Sequence, residues 1–102
     1  MPPELDGAMA MQPATHPDNR SIIFRVRKVV AQYGELPVSI DTISDSTELY
    51  AMGLKSFALV QLMLALEAEF DLEFPESRLT RRSFSDIRTI ATCIEDLTSA
   101  RS

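Results

Sequence analysis

From Ser56 to Phe70 the chain reads SFALVQLMLALEAEF, a segment with apolar side chains on every side of a helix and its two acids, Glu67 and Glu69, held back to the last turns. A helix that is apolar all round either lies among other helices or offers part of its surface to a partner. Leu59, Leu62, Met63, Leu66 and Phe70 gather on one side at helical spacing and make a sufficient core face. Phe57, Ala58, Gln61, Leu64, Ala65 and Ala68 fall on the other side, which carries no charge. In a chain of 102 residues only one flank of such a helix is ordinarily covered. The uncharged second face is therefore expected to be a docking surface for a partner. The nearby acids Glu67, Glu69, Asp71 and Glu73 are displaced toward the C-terminal end of the segment.

Two more helices follow from spacing. Ile22, Ile23, Val26, Val29 and Val30 form an amphipathic stripe between Ser21 and Tyr33, and Gly34 stands where glycine favours a helix end. Ile87, Ile90, Ala91, Ile94 and Leu97 share a face from about Ser85 to Thr98, with Asp86 near the positive end of that helix. Glu35 to Lys55 would be an unusually long connection in a compact domain unless Leu36, Val38, Ile40, Ile43 and Leu49 pin it across the helices. Pro75 to Arg82 has room for one or two turns. The expected fold is all-α: a four-helix bundle of three main helices plus one short helix, with a long ordered crossover loop and no strands. It would occupy residues 20–100, preceded by a flexible tail over residues 1–19 that holds Pro2, Pro3, Pro13 and Pro17.

Composition removes several functions. Hydrophobic residues make up 45% and charged residues 25%, the balance of one small globular domain too small for a deep substrate cleft. A net charge of −5 and the lack of a basic stripe argue against nucleic acid. Arg78, Arg81, Arg82 and Arg88 are read as a solvated surface that can serve as partner contacts. Cys93 is the single cysteine and sits among Ile90, Ile94 and Leu97, so it reads as a packed small hydrophobe rather than a reactive thiol. His16, the only histidine, lacks carboxylates or cysteines at ligand spacing, and no metal site is expected. The longest apolar run falls short of the about 20 residues that span a bilayer, and the N-terminus lacks the pattern of an export signal. A cytoplasmic monomer is the expectation.

Ser56 stands between a glycine turn and the apolar helix. Such a serine either caps the helix, its oxygen accepting from a first-turn N–H, or holds something on an exposed hydroxyl. No histidine lies between residues 20 and 102 to activate it as a nucleophile. The unpaired N–H groups and the positive end of the helix dipole favour an anion there, so a phosphoester suits the position.

GLKSFALVQLMLALEAEFDLEFPE, with STELYAM before it and SFSDIRTIATCIEDL after it, resembles the acyl carrier protein family over roughly Ser21 to Ser99. A Gly-x-x-Ser turn alone is weak. Gly53 and Ser56 followed by a leucine-rich helix, Glu69-Phe70, Phe74-Pro75, and Phe84 with Ile87 make a specific composite. The resemblance implies that Ser56 carries 4′-phosphopantetheine, attached by a phosphopantetheinyl transferase from coenzyme A. It also implies that the protein itself is no enzyme. Departures from the family pattern are Lys55 where an aspartate is usual, Phe57 where a leucine is usual, and Ala58, Gln61 and Ala68 where an acidic face is usual. Acids on such a face steer basic partners, so their absence predicts weak charge steering and a dedicated partner that uses apolar contact. Lys55, Phe57, Ala58, Gln61, Leu64, Ala65 and Ala68 are the candidate partner-binding residues.

GLKSFALVQLML and EFDLEFPE look most like the bacterial aminoacyl carrier proteins, which are loaded by stand-alone relatives of class II aminoacyl-tRNA synthetases. By that likeness the cargo would be a small amino acid, of the glycine or alanine type, held as a thioester until an unknown acceptor enzyme takes it. Two alternatives stay open. One is a carrier of fatty-acyl or polyketide chains; the other is an unmodified helical adaptor that uses the apolar face to bind another protein.

Overall fold

The computed structural model describes residues 19–101. Helices α1 (Asn19–Tyr33), α2 (Ser56–Phe70) and α3 (Ile87–Arg101) carry the fold. Single 3₁₀ turns stand at Ile40–Thr42, Glu76–Arg78 and Arg82–Phe84. There is no strand among the described residues. The expected short fourth helix is thus a pair of 3₁₀ turns. The expected tail and His16 lie outside the described residues, except Asn19, which opens α1 two residues before the predicted start.

α1 is rich in β-branched residues, which are modest helix formers, and tertiary burial is what holds it. Ile22, Val26, Val29 and Val30 are all buried. α1 packs against both α2 and α3, whereas the backbones of α2 and α3 approach each other at few points. It is therefore the shared helix, and α2 lies to one side of it. Gly34 closes the last helical bond of α1, its N–H donating to the Val30 carbonyl at 2.8 Å, and the chain leaves the helix at the next residue. A Cβ at Gly34 would sit 2.7 Å from that oxygen. The left-handed residue at this end is Glu35, φ 52°, rather than the glycine.

The crossover is pinned as its apolar residues predict, with Ile43, Leu49 and Leu54 buried and Leu36 and Ile40 packed against the core. Val38 departs from the expectation and is exposed. The pin also has a polar component. Arg27 on α1 donates from Nη1 to Asp45 Oδ1 at 2.9 Å, and from Nη2 to the carbonyls of Ile40 at 2.6 Å and Ile43 at 3.0 Å. On the other flank, Leu49 N–H donates to the Ser85 carbonyl and Arg88 N–H to the Asp45 carbonyl, each at 2.8 Å.

The exit of α2 and the entry of α3 are satisfied locally. Asp71 takes the left-handed conformation, φ 51°, and Leu72 N–H reaches back to the Glu67 carbonyl at 3.1 Å, closing α2 in a Schellman turn. Glu67 then accepts the Phe74 N–H at 2.9 Å, which seats Phe74 edge-on to Phe84 with ring centroids 5.3 Å apart. Asp86 caps α3, its Oδ1 accepting the Thr89 N–H at 2.6 Å. Ile87, Ile90, Ala91, Cys93 and Ile94 turn inward. Burial pushes the Cys93 thiol up, against a smaller opposing pull from Arg78, in keeping with a packed rather than reactive thiol.

Removing the Arg27 guanidinium leaves two loop carbonyls and the Asp45 carboxylate without their donor. Arg27→Ala is expected to lower stability by roughly 2–3 kcal/mol, since hydrogen bonds to charged groups contribute about 1.5–3 each and water replaces part of the loss. Urea unfolding followed by circular dichroism measures it.

Candidate functional site

Ser56 is delivered by a tight sequence of turns. Leu49 accepts from both Met52 N–H at 3.0 Å and Leu54 N–H at 3.1 Å, and Tyr50 accepts from Gly53 N–H at 3.2 Å. Gly53 has φ 109°, where side chains are rarely found, and its Cβ position lies 3.0 Å from Pro37. Buried Leu54 anchors the end of the turn in the core. Lys55 is extended and is the N-cap residue, its carbonyl accepting the Leu59 N–H at 2.8 Å.

Ser56 is thus the first helical residue of α2 and does not cap it. Lys55 offers no side-chain acceptor to the first turn. The Ser56 side chain is exposed and makes no hydrogen bond among the described residues. The site combines a free primary hydroxyl, outward N–H groups at the positive end of a helix of four turns, and the unpaired ammonium of Lys55 beside it. These suit an ester-linked phosphate.

The outer side of α2 is open because α1 covers only the opposite flank. Phe57 is 69% exposed, Val60 53% and Leu64 61%. Ala68 is exposed, and Gln61 and Ala65 are half-buried. Ala58 corrects the sequence reading: it is only 3% exposed and belongs to the core cluster with Leu62, Leu66 and Phe70. At about 100° per residue, Ala58 falls a quarter-turn away from Phe57 toward α1, whereas Val60, Leu64 and Ala68 stay close to Phe57. Val60 was missed on the outward strip, although the same angular count would have found it. Tyr33 was missed too, because it comes from α1; it shares with Gln61, Leu64 and Ala65 a shallow depression of ≈ 390 Å³.

Of the arginines read as partner contacts, Arg78 pairs with Asp96 at 3.6 Å, while Arg82 and Arg88 are exposed. Arg81 stacks 3.7 Å over the Tyr50 ring, and the Tyr50 hydroxyl donates to the Arg81 carbonyl at 2.7 Å. Burial pushes the Tyr50 phenol up, partly offset by Arg81. No cluster of histidine, cysteine and carboxylates suited to a metal occurs among the described residues, and no helix there is long and apolar enough to cross a membrane.

Residues 25–94 match the family model described as the phosphopantetheine attachment site. The chain belongs to this family of phosphopantetheine-bearing carrier proteins. Within it, the chain is 52% identical over 65 residues to an aminoacyl carrier protein of Agrobacterium fabrum, covering 64% of this chain and 78% of the relative. Among solved structures, it matches a chain in the crystal structure of an engineered Bradyrhizobium japonicum glycine:[carrier protein] ligase complexed with carrier protein from Agrobacterium tumefaciens and ATP. That match has a TM-score of 0.70 and 46% identity, covering 72% of this chain and 95% of the other. A chain in the Bradyrhizobium japonicum ligase complexed with glycylated carrier protein matches with a TM-score of 0.62 and 26% identity, covering 71% and 96%.

Ala58 is buried and Ala68 exposed, so the two positions differ in what a charge would cost the fold. Ala58→Glu is expected to destabilise the domain by roughly 3–5 kcal/mol, the scale of an uncompensated buried charge. Ala68→Glu should stay within about 0.5 kcal/mol of the parent, as surface changes do. Thermal melts of the two variants side by side provide the check.

Proposed function

We propose that this protein carries a small amino acid, of the glycine or alanine type, on 4′-phosphopantetheine attached to Ser56. The observation that carries the proposal is the free, exposed Ser56 hydroxyl at the uncapped start of α2. In the modification, Ser56 Oγ forms the new O–P bond as the bond from that phosphorus to the nucleotide part of coenzyme A breaks, and the hydroxyl proton leaves to the phosphopantetheinyl transferase. Lys55 and the first-turn N–H groups offset the phosphate charge. When bound, the group supplies a terminal thiol that holds the cargo as a thioester.

In this reading the carrier domain spans residues 20–100, works in the cytoplasm as a monomer, and catalyses nothing itself. Its partners are the transferase, a synthetase-like amino acid:carrier protein ligase and a downstream acceptor enzyme. The ligase complexes formed by its relatives support the second of these. The exposed strip of Phe57, Val60, Leu64 and Ala68, flanked by Gln61 and Ala65, is the surface on which the ligase would rest. Lys55 stands at its leading end.

Co-expression with a phosphopantetheinyl transferase should add the mass of one phosphopantetheine to the wild type and none to Ser56→Ala. An arm on the Ser56→Ala protein would end the assignment. Mass spectrometry of the protein from its own host also identifies the bound cargo.

Leu64→Glu should slow loading by a glycine:[carrier protein] ligase by about tenfold or more, the effect of losing a docking contact of about 1.4 kcal/mol, with the fold unchanged. Raising salt from 50 to 300 mM should change wild-type loading little, because no acidic row steers the encounter. Stopped-time assays with radiolabelled amino acid distinguish these outcomes.

A further inference from the structure

Beside Ser56 lies a recess of ≈ 160 Å³ lined by Glu35, Gly53, Lys55, Phe57 and Ala58. Four of these residues flank Ser56 in the chain, and Glu35 enters from the start of the crossover. The recess is more enclosed than the shallow depressions along α2 and around Tyr50. Its two charged groups are unused: neither the Glu35 carboxylate nor the Lys55 ammonium has a hydrogen bond or ion pair among the described residues. The backbone of Glu35 is fixed in the left-handed region, uncommon for a residue with a side chain.

We propose that this recess is a binding site for the root of the phosphopantetheine arm, the dimethyl-bearing segment next to the phosphate. The inference rests on the assignment of the arm to Ser56. The order of groups agrees at each step. An arm leaving Ser56 Oγ begins with a phosphodiester anion, which Lys55 meets. Next comes a carbon bearing two methyl groups, for which exposed Phe57, with nearly buried Ala58 behind it, forms an apolar wall. A hydroxyl and an amide N–H follow, and Glu35 supplies the acceptor. A space of ≈ 160 Å³ takes this segment and no more, so the distal amide and the thiol stay outside, available to enzymes.

Covalent attachment makes a shallow site effective. A ligand tethered at the neighbouring residue is present at an effective concentration of about millimolar or above, so contacts too weak to hold free pantetheine still fill the recess. Phe57 serves two surfaces, as wall of the recess and as the leading apolar residue of the α2 strip. A partner that covers Phe57 frees the arm as it docks.

The test uses isotope-labelled apo protein and holo protein made with a transferase and coenzyme A, the conversion verified by mass. In the holo form, nuclear Overhauser contacts should link the two arm methyl groups to the Phe57 ring, and the amide of Glu35 should shift relative to the apo form. Glu35→Ala should weaken these contacts, and Phe57→Ser should return the methyl resonances to their positions in coenzyme A. In protein verified as holo, shifts confined to Ser56 and its immediate neighbours, with methyl resonances matching coenzyme A, overturn the recess and leave the carrier assignment standing. Absence of any mass addition overturns both.

Discussion

The arrangement depends on α1 being shared. Its buried stripe of Ile22, Val26, Val29 and Val30 is the surface against which both α2 and α3 pack, and the backbones of those two helices approach each other at few points. In so small a domain a shared helix leaves each of its neighbours with one uncovered side. For α3 that side is polar, with Arg88, Thr92 and Asp96 exposed. For α2 it is Phe57, Val60 and Leu64, so the bundle's own economy of packing creates the apolar strip. No separate device is needed to expose it.

The second constraint is on position. Ser56 owes its place to a chain of attachments beginning on α1, where Arg27 holds Asp45 and two loop carbonyls, and continuing through Leu49 and Leu54 to the left-handed Gly53. Arg25 on the same helix grips the opposite end of α2, bonding the Glu69 carboxylate at 2.8 Å and the Glu69 carbonyl at 2.6 Å with its guanidinium 4.3 Å from the Phe70 ring. Two arginines two residues apart on α1 thus fix both the approach to α2 and its exit. The hydroxyl is exposed, but the backbone that bears it is not loose.

Periodicity made the three helices legible, because their buried positions recur at helical spacing, and α2, expected from about Ser56 to about Phe70, spans those residues. The crossover was legible only as a requirement: its apolar residues had to be buried, but nothing local announces that Arg27 would reach Asp45. Ser56 stood out by its place after Gly53, whereas its neighbour Ala58 could be assigned to either flank, since alanine is compatible with core and surface alike. The remaining site features depend on partners distant in sequence. Glu35 and Tyr33 reach α2 only through the fold. Gly34 marked the end of α1, and the left-handed conformation falls one position later, on Glu35.

The charges of α2 run against its backbone dipole. Its first turn has no acid and its last turn no base of its own, Lys55 precedes the positive end, and Glu67, Glu69 and Asp71 crowd the negative one. Ordinary helices arrange the reverse, which is worth about 0.3–1 kcal/mol per charge. Arg25 relieves the exit, but nothing among the described residues relieves the entrance. Under the proposed modification, an esterified phosphate at Ser56 would supply the missing counter-charge at that end and would tighten the fold as well as equip it.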